Sequence, residues 1–518
     1  MKKVVLIAPP YDFADNANVA RFTTLLAPPL GILTLGSYLA ANGVPIEIID
    51  MQMDFGFGLT RETEAVACSR LARYLGEQGQ TIGWVGISQI SNSRSGIALA
   101  NKIRAALPAT PIVFGGYFPT NNYQLLLSEY PFIDAVVRGD GETAALQISQ
   151  QLEAGQPFPN DQISNLAWQE GGEIHTTPMR VTNLDQLPTL DFRLLRNPDS
   201  YPIIELVTSR GCPFDCNYCL ESSMRPYAVH SPEWVARQLD HLEATVSNER
   251  LFFFDPLFGL GRERTIELCR IMRGRQFTYG VESRVDVLPP DLIPVLRQAG
   301  VEVIYLGIES ASPATLQRMN KVHSPSQARR YLDSARAVLQ ACFENGITPF
   351  MGFMLGFPGD VEADYQATAG FVQDVGRLHG QSAAQTGAHS GFVPLAFYTK
   401  VYAGSPLVEM VEQNGSQVVL RPEPFIGERT VVSPSPGLDL NTARRYQDAI
   451  VHQGAYTPLA MERWRCYSSF SMEALLQEHP ELTDSDGVIC LGDSLRRFPP
   501  PFDLDAMLMH HDKSKNPH

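Results

Sequence analysis

The N-terminal part of the chain alternates short apolar runs with longer amphipathic stretches. Apolar runs of strand length fall at residues 4–8, 46–50, 82–88, 112–115 and 135–138. Between them lie patterns with the period of a helix, at residues 30–41, 61–78, 95–107, 120–130 and 142–153. Strands that alternate with helices form a parallel sheet covered on both faces. We therefore predict a doubly wound, Rossmann-like α/β domain over residues 1–155.

A segment rich in Pro, Asn, Asp and Gly follows, and a second series of alternating elements begins after it. Residues 156–200 predict a linker with one hairpin around Gly171 and Gly172. Within residues 201–406, apolar strand patterns fall at 203–207, 251–254, 277–281, 303–308, 348–355 and 392–398. Six parallel strands with covering helices predict an open, partial (β/α)6 barrel of the TIM type.

The C-terminal part of the chain is harder to interpret. Residues 407–518 predict a mainly helical or irregular region that caps the barrel or contacts substrate. Its aromatic and basic patch at residues 463–467 is expected to pack a helix on the barrel rather than to line a cleft. A polar stretch at residues 379–391 is expected to be a mobile loop at the barrel mouth, with a lid or a substrate contact as the alternatives.

Three cysteines stand together after the first strand of the second series. Cys212, Cys216 and Cys219 have C-x3-C-x2-C spacing. Structural zinc normally takes four protein ligands, whereas iron–sulfur clusters are held by thiolates. Three thiolates can bind three irons of a [4Fe–4S] cluster and leave the fourth open to a ligand, so the pattern favours a cluster over a zinc site completed by a distant residue. The other five of the eight cysteines are scattered, which indicates a reducing cytoplasm rather than a disulfide framework.

Polar residues follow further strands of the second series, where a barrel gathers its chemistry. Arg284 can pair with a carboxylate, and Asp255 and Glu309 can accept hydrogen bonds from an amine or from hydroxyl groups. The glycines around Gly356 allow backbone atoms to approach a ligand closely. Taken singly, each of these polar residues is also compatible with a buried ion pair or a cap.

These motifs together resemble those of the radical S-adenosylmethionine (radical SAM) enzymes that carry an N-terminal cobalamin domain. The matching segments are the cysteine motif with Tyr218, Ser283-Arg284, residues 306–310 with Lys321, and residues 356–359. The resemblance extends over roughly residues 1–410. It implies that the three cysteines bind a [4Fe–4S] cluster and that S-adenosylmethionine is bound by Tyr218, Asp255, Ser283, Arg284, Glu309, Gly356 and Pro358.

The first domain resembles the cobalamin-binding domain of the same enzymes. Its first strand is followed by a long loop instead of a G-x-G-x-x-G motif, so a dinucleotide is not expected. Ligands of such sheets lie beyond the carboxyl ends of the strands. The resemblance implies cobalamin contacts from Pro10, Tyr11, Ser88, Gln89, Ser91, Gly115, Gly116, Tyr117, Gly139, Gly141 and Glu142. The D-x-H-x-x-G motif that ligates cobalt elsewhere is missing, and a Rossmann-like domain that binds nothing is the alternative.

The resemblance implies radical methylation of an unactivated carbon in a small-molecule or peptide natural product, with electrons from a flavodoxin- or ferredoxin-type donor. Open alternatives are a non-methylating radical reaction (ring closure, ring contraction or oxidation), polar methyl transfer, and a cobalamin or iron–sulfur sensor that is not an enzyme. No catalytic side chain is assigned. The 41 basic and 56 acidic residues give a net charge of −15, which disfavours nucleic acid. No apolar stretch approaches the length of a membrane span.

Overall fold

The computed structural model describes the protein over residues 1–9, 27–55, 61–88, 94–387, 390–402, 404–420, 428–435 and 438–467. Two large sheets dominate this part of the chain, one built from its N-terminal strands and one from its central strands. No helix within the described ranges is long and apolar enough to cross a membrane.

The first sheet has seven strands in the order β2-β1-β3-β4-β5-β6-β7. The first five are parallel, and the last two are antiparallel. The strands are β1 (Lys3–Ala8), β2 (Ile46–Asp50), β3 (Ile82–Ser88), β4 (Ile112–Gly115), β5 (Ala135–Val137), β6 (Leu166–Glu170) and β7 (Glu173–Thr176). The helices are α1 (Leu30–Ala41), α2 (Met51–Phe55), α3 (Arg61–Glu77), α4 (Arg94–Ala106), α5 (Tyr117–Glu129) and α6 (Glu142–Glu153).

All five predicted strands of this sheet are present, and the doubly wound architecture is confirmed. The predicted hairpin also forms, as β6 and β7. It does not stand apart in a linker, because β6 pairs with β5 and extends the first sheet. The apolar half of β6 supplies the reason, since Leu166, Ala167 and Trp168 are buried against the rest of the sheet.

The second sheet has six parallel strands in the order β15-β14-β13-β12-β11-β8, which is the predicted partial barrel. Its strands, with the short pair β9 and β10, are β8 (Ile204–Leu206), β9 (Ser209–Arg210), β10 (Ala228–Val229), β11 (Arg250–Phe253), β12 (Thr278–Ser283), β13 (Val301–Glu309), β14 (Thr348–Leu355) and β15 (Val393–Tyr398). Its helices are α7 (Glu221–Met224), α8 (Pro232–Thr245), α9 (Arg262–Met272), α10 (Ile293–Gln298), α11 (Pro313–Arg318), α12 (Pro325–Glu344) and α13 (Glu362–Thr386).

The C-terminal elements pack on the barrel. They are the strands β16 (Lys400–Tyr402), β17 (Gln417–Leu420) and β18 (Glu428–Ser433) and the helices α14 (Leu407–Gln413), α15 (Leu440–Val451) and α16 (Pro458–Tyr467). Tyr467 and Cys466 of α16 join the apolar cluster of Ile203, Phe252 and Val303, so this helix closes the amino-terminal end of the barrel. The prediction that this aromatic and basic patch packs on the barrel is confirmed.

The predicted loop at residues 379–391 is wrong in extent and position. Helix α13 continues to Thr386, and His379 packs edge-on against Phe343 and Phe392. Phe392 directly precedes β15, so the segment after the helix lies at the amino-terminal ends of the strands, opposite the mouth. Residues 388 and 389 lie outside the described ranges. The polar, alanine-rich composition that indicated a loop is equally compatible with a helix, because Ala and Gln are good helix formers.

Candidate cofactor and substrate site

The loop with the three cysteines begins at a glycine that no other residue can replace without strain. Gly211 has φ +74°, and a Cβ at this position would lie 2.6 Å from the carbonyl oxygen of Arg225. The loop is then fixed by Asn217, whose backbone N–H donates to Met319 O at 3.0 Å and whose amide donates to Arg318 O at 2.8 Å. The cysteines are therefore presented by a loop anchored to the end of α11.

The three thiols form no disulfide and have electropositive neighbours. The Arg284 guanidinium donates to Cys216 Sγ at 3.4 Å, and the Glu221 N–H donates to Cys219 Sγ at 3.4 Å. Burial raises the pKa of the Cys219 thiol to about 12 and also raises that of Cys212. A bound metal cluster deprotonates such thiols, so this all-thiolate donor set with N–H donors to sulfur fits an iron–sulfur cluster. The three thiols do not converge on one point: in the described ranges, no three His, Cys, Asp or Glu side chains are grouped so as to hold a single metal ion. A cluster does not require such convergence, because its thiolates bind separate irons.

Arg284 lies over the cysteine loop. Its guanidinium stacks on the Phe214 ring, 3.9 Å from the centroid, and forms two bonds to Asp286 at 2.9 and 3.0 Å. Burial opposes its charge, but the Asp286 carboxylate outweighs burial and raises the pKa of Arg284. The guanidinium is thus a fixed positive charge beside the thiols, and its Nε and Nη2 atoms are both bonded to Asp286.

Two other predicted S-adenosylmethionine contacts have partners within the protein instead. Asp255 is buried and accepts hydrogen bonds from Thr208 N at 2.5 Å, Thr208 Oγ1 at 2.5 Å and Ser209 N at 2.8 Å. Ser283 is buried and donates to Phe258 O at 2.6 Å. In this geometry Asp255 holds the chain between β8 and the cysteine loop, and Ser283 fixes the end of β12. Their predicted contacts with S-adenosylmethionine stay predictions, because these hydrogen bonds leave both side chains further acceptor capacity.

The remaining predicted contacts surround the mouth at β13 and β14. Glu309 has φ +70°, which is unusual for a residue other than glycine, and pairs with Lys321 Nζ at 3.2 Å. Lys321 also donates to the Tyr218 hydroxyl at 3.3 Å, which links β13 to the cysteine loop. Gly356 has φ +82° and precedes the buried Pro358. Tyr218, Glu309, Gly356 and the cysteines are therefore brought to one mouth.

The carboxyl edge of the first sheet has small residues. Among the described residues, an added Cβ on Gly31 would meet only Ser88 Oγ at 3.9 Å, and one on Gly115 only Val137 O at 3.8 Å. Gly116, with φ +103°, directly precedes α5. These described residues fit a cobalamin, because backbone without side chains lets a bulky ligand approach closely. The predicted contacts Pro10, Tyr11, Gln89 and Ser91 lie outside the described ranges.

The same edge meets the cysteine loop directly. The Tyr117 hydroxyl donates a short hydrogen bond to the Glu221 carboxylate, two residues after Cys219. Burial, reinforced by the Glu221 carboxylate, raises the pKa of Tyr117 well above its usual value, so the phenol stays protonated. Asn121, one turn further along α5, approaches Met224 Sδ at 3.8 Å. The carboxyl ends of both sheets therefore face one another across a shared space.

The strand end after β5 has a structural partner that the sequence did not indicate. Glu142 pairs with Arg210 Nη2 at 2.8 Å, and Asp140 pairs with Arg225 Nη1 at 2.7 Å. Burial disfavours the charge of Glu142, but Arg210 outweighs it and lowers the pKa of that carboxyl. Gly139, with φ +72°, and Gly141, which begins α6, position these carboxylates. Glu142 thus joins the first sheet to the chain after β8, and its predicted contact with cobalamin stays a prediction.

The barrel lumen contains carboxyl groups that were not among the predicted site residues. Glu205 of β8 is buried and Glu282 of β12 is half-buried. Desolvation raises the pKa of each carboxyl to about 8. Neither carboxyl has a hydrogen-bond or ion-pair partner among the described residues. The signal was present in the sequence, because Glu205 interrupts the apolar run Ile203-Ile204-Glu205-Leu206-Val207.

Two family models match the chain in the order that the two sheets follow. The Radical SAM superfamily model matches residues 206–372, and the B12 binding domain model matches residues 19–149, together more than half of the chain. The protein is thus a radical SAM enzyme. It belongs to the cobalamin-dependent members of that superfamily, and its cofactors are a [4Fe–4S] cluster, S-adenosylmethionine and cobalamin.

Several known proteins resemble the chain over much of its length. An uncharacterized methyltransferase of Pyrococcus horikoshii is 28% identical over 382 residues, 72% of this chain and 78% of the relative. The anaerobic magnesium-protoporphyrin IX monomethyl ester cyclase of Rubrivivax gelatinosus is 29% identical over 287 residues, 52% of this chain and 49% of the cyclase, so the chain spans about half of that relative.

A solved structure has the same fold. It is the cobalamin-dependent S-adenosylmethionine radical enzyme OxsB with aqua-cobalamin and S-adenosylmethionine bound, which superimposes with a TM-score of 0.66 at 17% identity. The match covers 96% of this chain and 75% of that chain. The order of a cobalamin-binding domain followed by a radical SAM barrel is therefore confirmed.

Proposed function

We propose that the enzyme methylates an unactivated carbon of a small-molecule or peptide natural product. The observation that carries this proposal is the contact between Tyr117 and Glu221, because it sets the carboxyl edge of the cobalamin-binding sheet against the cysteine loop. Cofactors held by the two edges would then lie on either side of one substrate. When bound, the cluster and S-adenosylmethionine supply a 5'-deoxyadenosyl radical, and cobalamin supplies the methyl group.

The chain's own residues have defined tasks in this proposal. Cys212, Cys216 and Cys219 hold the cluster, and Arg284 keeps a positive charge at Cys216 Sγ. Lys321 neutralises Glu309 and orients Tyr218 over the mouth. The Tyr117–Glu221 bond and the Arg210–Glu142 pair hold the two carboxyl edges together. An external reductant of the flavodoxin or ferredoxin type supplies electrons.

The relatives support methylation and also a second reaction. The P. horikoshii relative, which this chain covers over more than two thirds of its length, is named a methyltransferase. The R. gelatinosus relative is named a cyclase, so ring closure without methyl transfer is the second candidate. Both reactions begin with hydrogen abstraction, and their products distinguish them.

Anaerobic incubation of the reconstituted enzyme with S-adenosylmethionine, reductant and candidate substrates tests the proposal. Mass spectrometry should detect 5'-deoxyadenosine, S-adenosylhomocysteine and a substrate mass gain of one methyl group. Detection of 5'-deoxyadenosine without S-adenosylhomocysteine supports the cyclase-type alternative. Detection of S-adenosylhomocysteine alone supports polar methyl transfer. Formation of neither nucleoside product with any substrate would support the non-enzymatic sensor.

The cluster assignment has an independent test. Reconstituted protein should absorb in the visible range typical of iron–sulfur proteins, and a Cys212→Ala/Cys216→Ala/Cys219→Ala variant should not. A variant that replaces the buried Cys269 by Ala is the matched control, because this cysteine lies in α9 away from the loop. Stoichiometric zinc in place of iron would contradict the assignment.

A further inference from the structure

The inner face of the barrel presents four side chains that the cofactor contacts do not use. We call them the lumen patch: Glu205, Phe254, Glu282 and Tyr305. Strand alternation sets their direction, because Leu206, Phe253, Val281 and Ile304 pack outward in the core beneath the helices. Glu282 and Tyr305 are in register on the neighbouring strands β12 and β13.

Glu205 is the most informative member of the lumen patch. Its side chain is 9% exposed, and it has no hydrogen-bond or ion-pair partner in the described part of the chain. Burying a carboxyl without a partner is unfavourable, and buried polar groups in proteins are nearly always hydrogen-bonded. The Glu205 oxygens are not among the fully enclosed polar atoms that lack a partner, so a ligand can reach them. An accessible acid without a protein partner is therefore in a position to bind a polar ligand.

Phe254 supplies the second observation. Its ring is 52% exposed, although Phe253 beside it is fully buried. It is tilted against the Phe252 ring, with the two ring centroids 6.1 Å apart, so Phe252 of β11 holds the exposed ring in place. Phe254 directly follows β11, which lies between β8 with Glu205 and β12 with Glu282, so an exposed apolar ring lies beside the strands with the two carboxyl groups. A ligand that matches the lumen patch has an apolar ring and a polar group that complements an acid.

The charge around the lumen patch selects that polar group. The groups that act on Glu282 are the carboxyls of Glu309, Glu221 and Glu205 and the ammonium of Lys321. Lys321 is already paired with Glu309 at 3.2 Å, which leaves the acids in excess. A cation in the lumen would be the counter-ion that Glu205 and Glu282 lack. Burial keeps both carboxyls protonated at neutral pH while no counter-ion is present, and a bound cation would release those protons.

We propose that the lumen patch binds the substrate through a protonated amine or guanidine held by Glu205 and Glu282 and through an apolar ring packed on Phe254. This inference rests on the proposed function, since it places the substrate beneath the S-adenosylmethionine site. It narrows the substrate to a cationic ring compound or a peptide with such a side chain.

Ligand binding to the holoenzyme tests this proposal without turnover. The probes are tryptamine, its neutral analogue tryptophol and the anion indole-3-acetate, measured by calorimetry in the presence of S-adenosylmethionine. Tryptamine should bind at least tenfold more tightly than tryptophol, and indole-3-acetate should bind most weakly. The E205Q and E282Q variants should each lose at least tenfold in tryptamine affinity and keep their affinity for S-adenosylmethionine. E249Q, which changes an exposed acid at the opposite end of the barrel, is the control and should behave as the unmodified enzyme.

Two results would overturn the inference. Equal affinity for the three probes would remove the role of charge, and loss of S-adenosylmethionine binding in both glutamine variants would assign the lumen patch to that cofactor. Because these measurements need no methyl transfer, discriminating tryptamine binding in an enzyme that fails to methylate would support the lumen patch while contradicting only the proposed reaction.

Discussion

At the scale of single residues, the site is organised by charged side chains whose partners the sequence did not specify. Arg284 was predicted from its position after a strand, and the structure places it there. Its contacts with Phe214, Asp286 and Cys216 depend on segments distant in the chain. Asp255 shows the same limit, since nothing in its own strand reveals that Thr208 and Ser209 occupy its oxygens. Sequence predicts which polar residues reach the mouth, whereas long-range packing decides what they bind.

The Arg284→Met variant should lower the reduction potential of the cluster. The substitution removes a positive charge and the N–H donor 3.4 Å from Cys216 Sγ, and both favour the reduced, more negative cluster. We expect a shift of tens of millivolts, since about 59 mV corresponds to a tenfold change in a one-electron equilibrium. A redox titration followed by electron paramagnetic resonance measures it. Arg336→Met, which changes a surface arginine, should leave the potential unchanged, and an unchanged potential in Arg284→Met would refute the role.

Glu205 makes the stability of the protein depend on pH. Burial raises its pKa from 4.5 to about 8, so the folded protein keeps a proton that the unfolded chain releases earlier. The contribution of the protonated Glu205 carboxyl to the free energy of unfolding is therefore fully present below pH 4.5 and is lost as the pH rises through 8. Glu205→Gln removes this loss and should be more stable than the unmodified protein at pH 9, by at least about 1.4 kcal/mol. Denaturant unfolding at pH 5 and 9 checks this, and a pH-independent difference would contradict it.

At the scale of elements, the strand and helix pattern was readable because each element is short, apolar and bounded by turn residues. The five N-terminal strands and the six barrel strands follow from periodicity alone. The pairing of β6 with β5 does not follow from periodicity, because a hairpin can pair with a sheet or stand alone and its local sequence is the same in both cases. The prediction of a loop at the end of α13 was wrong for a related reason, since the composition of that segment does not distinguish an exposed helix from a loop.

Gly211 is the position where one element depends on a single backbone conformation. Gly211→Ala combines a positive φ with a clash of the new Cβ at 2.6 Å from Arg225 O. Gly155→Ala is the matched control, because Gly155 has φ +67° and no atom within 4 Å of the added Cβ. The free energy of unfolding of the control should fall by about 1–2 kcal/mol because of the positive φ alone. That of Gly211→Ala should fall by about 1–3 kcal/mol more because of the clash. Denaturant unfolding and iron content after reconstitution measure the effect, and equal losses in the two variants would show that the clash is relieved.

At the scale of the whole molecule, two sheets are joined at their carboxyl edges by buried polar contacts. Arg210 and Arg225 extend from the barrel to Asp140 and Glu142 of the first sheet, and Tyr117 reaches in the other direction to Glu221. Both sheets and both cofactor classes are predictable from the sequence motifs. The ion pair of Glu142 is not, because its partner Arg210 lies in β9, which is distant in the chain.

The Arg210→Met variant tests the junction as a unit. It leaves Glu142 buried without its partner, and breaking a buried pair from one side costs about 3–5 kcal/mol of folding stability. The double variant Arg210→Met/Glu142→Gln should recover part of that loss, because the uncompensated charge is gone. The control Arg193→Met changes an exposed ion pair with Asp191 and should have little effect. Hydrogen exchange should rise at the start of α6 and in β9 together in the single variant, because one ion pair fixes both. An increase confined to β9 would show instead that the first sheet keeps its own structure at this edge and that the two carboxyl ends are held together elsewhere.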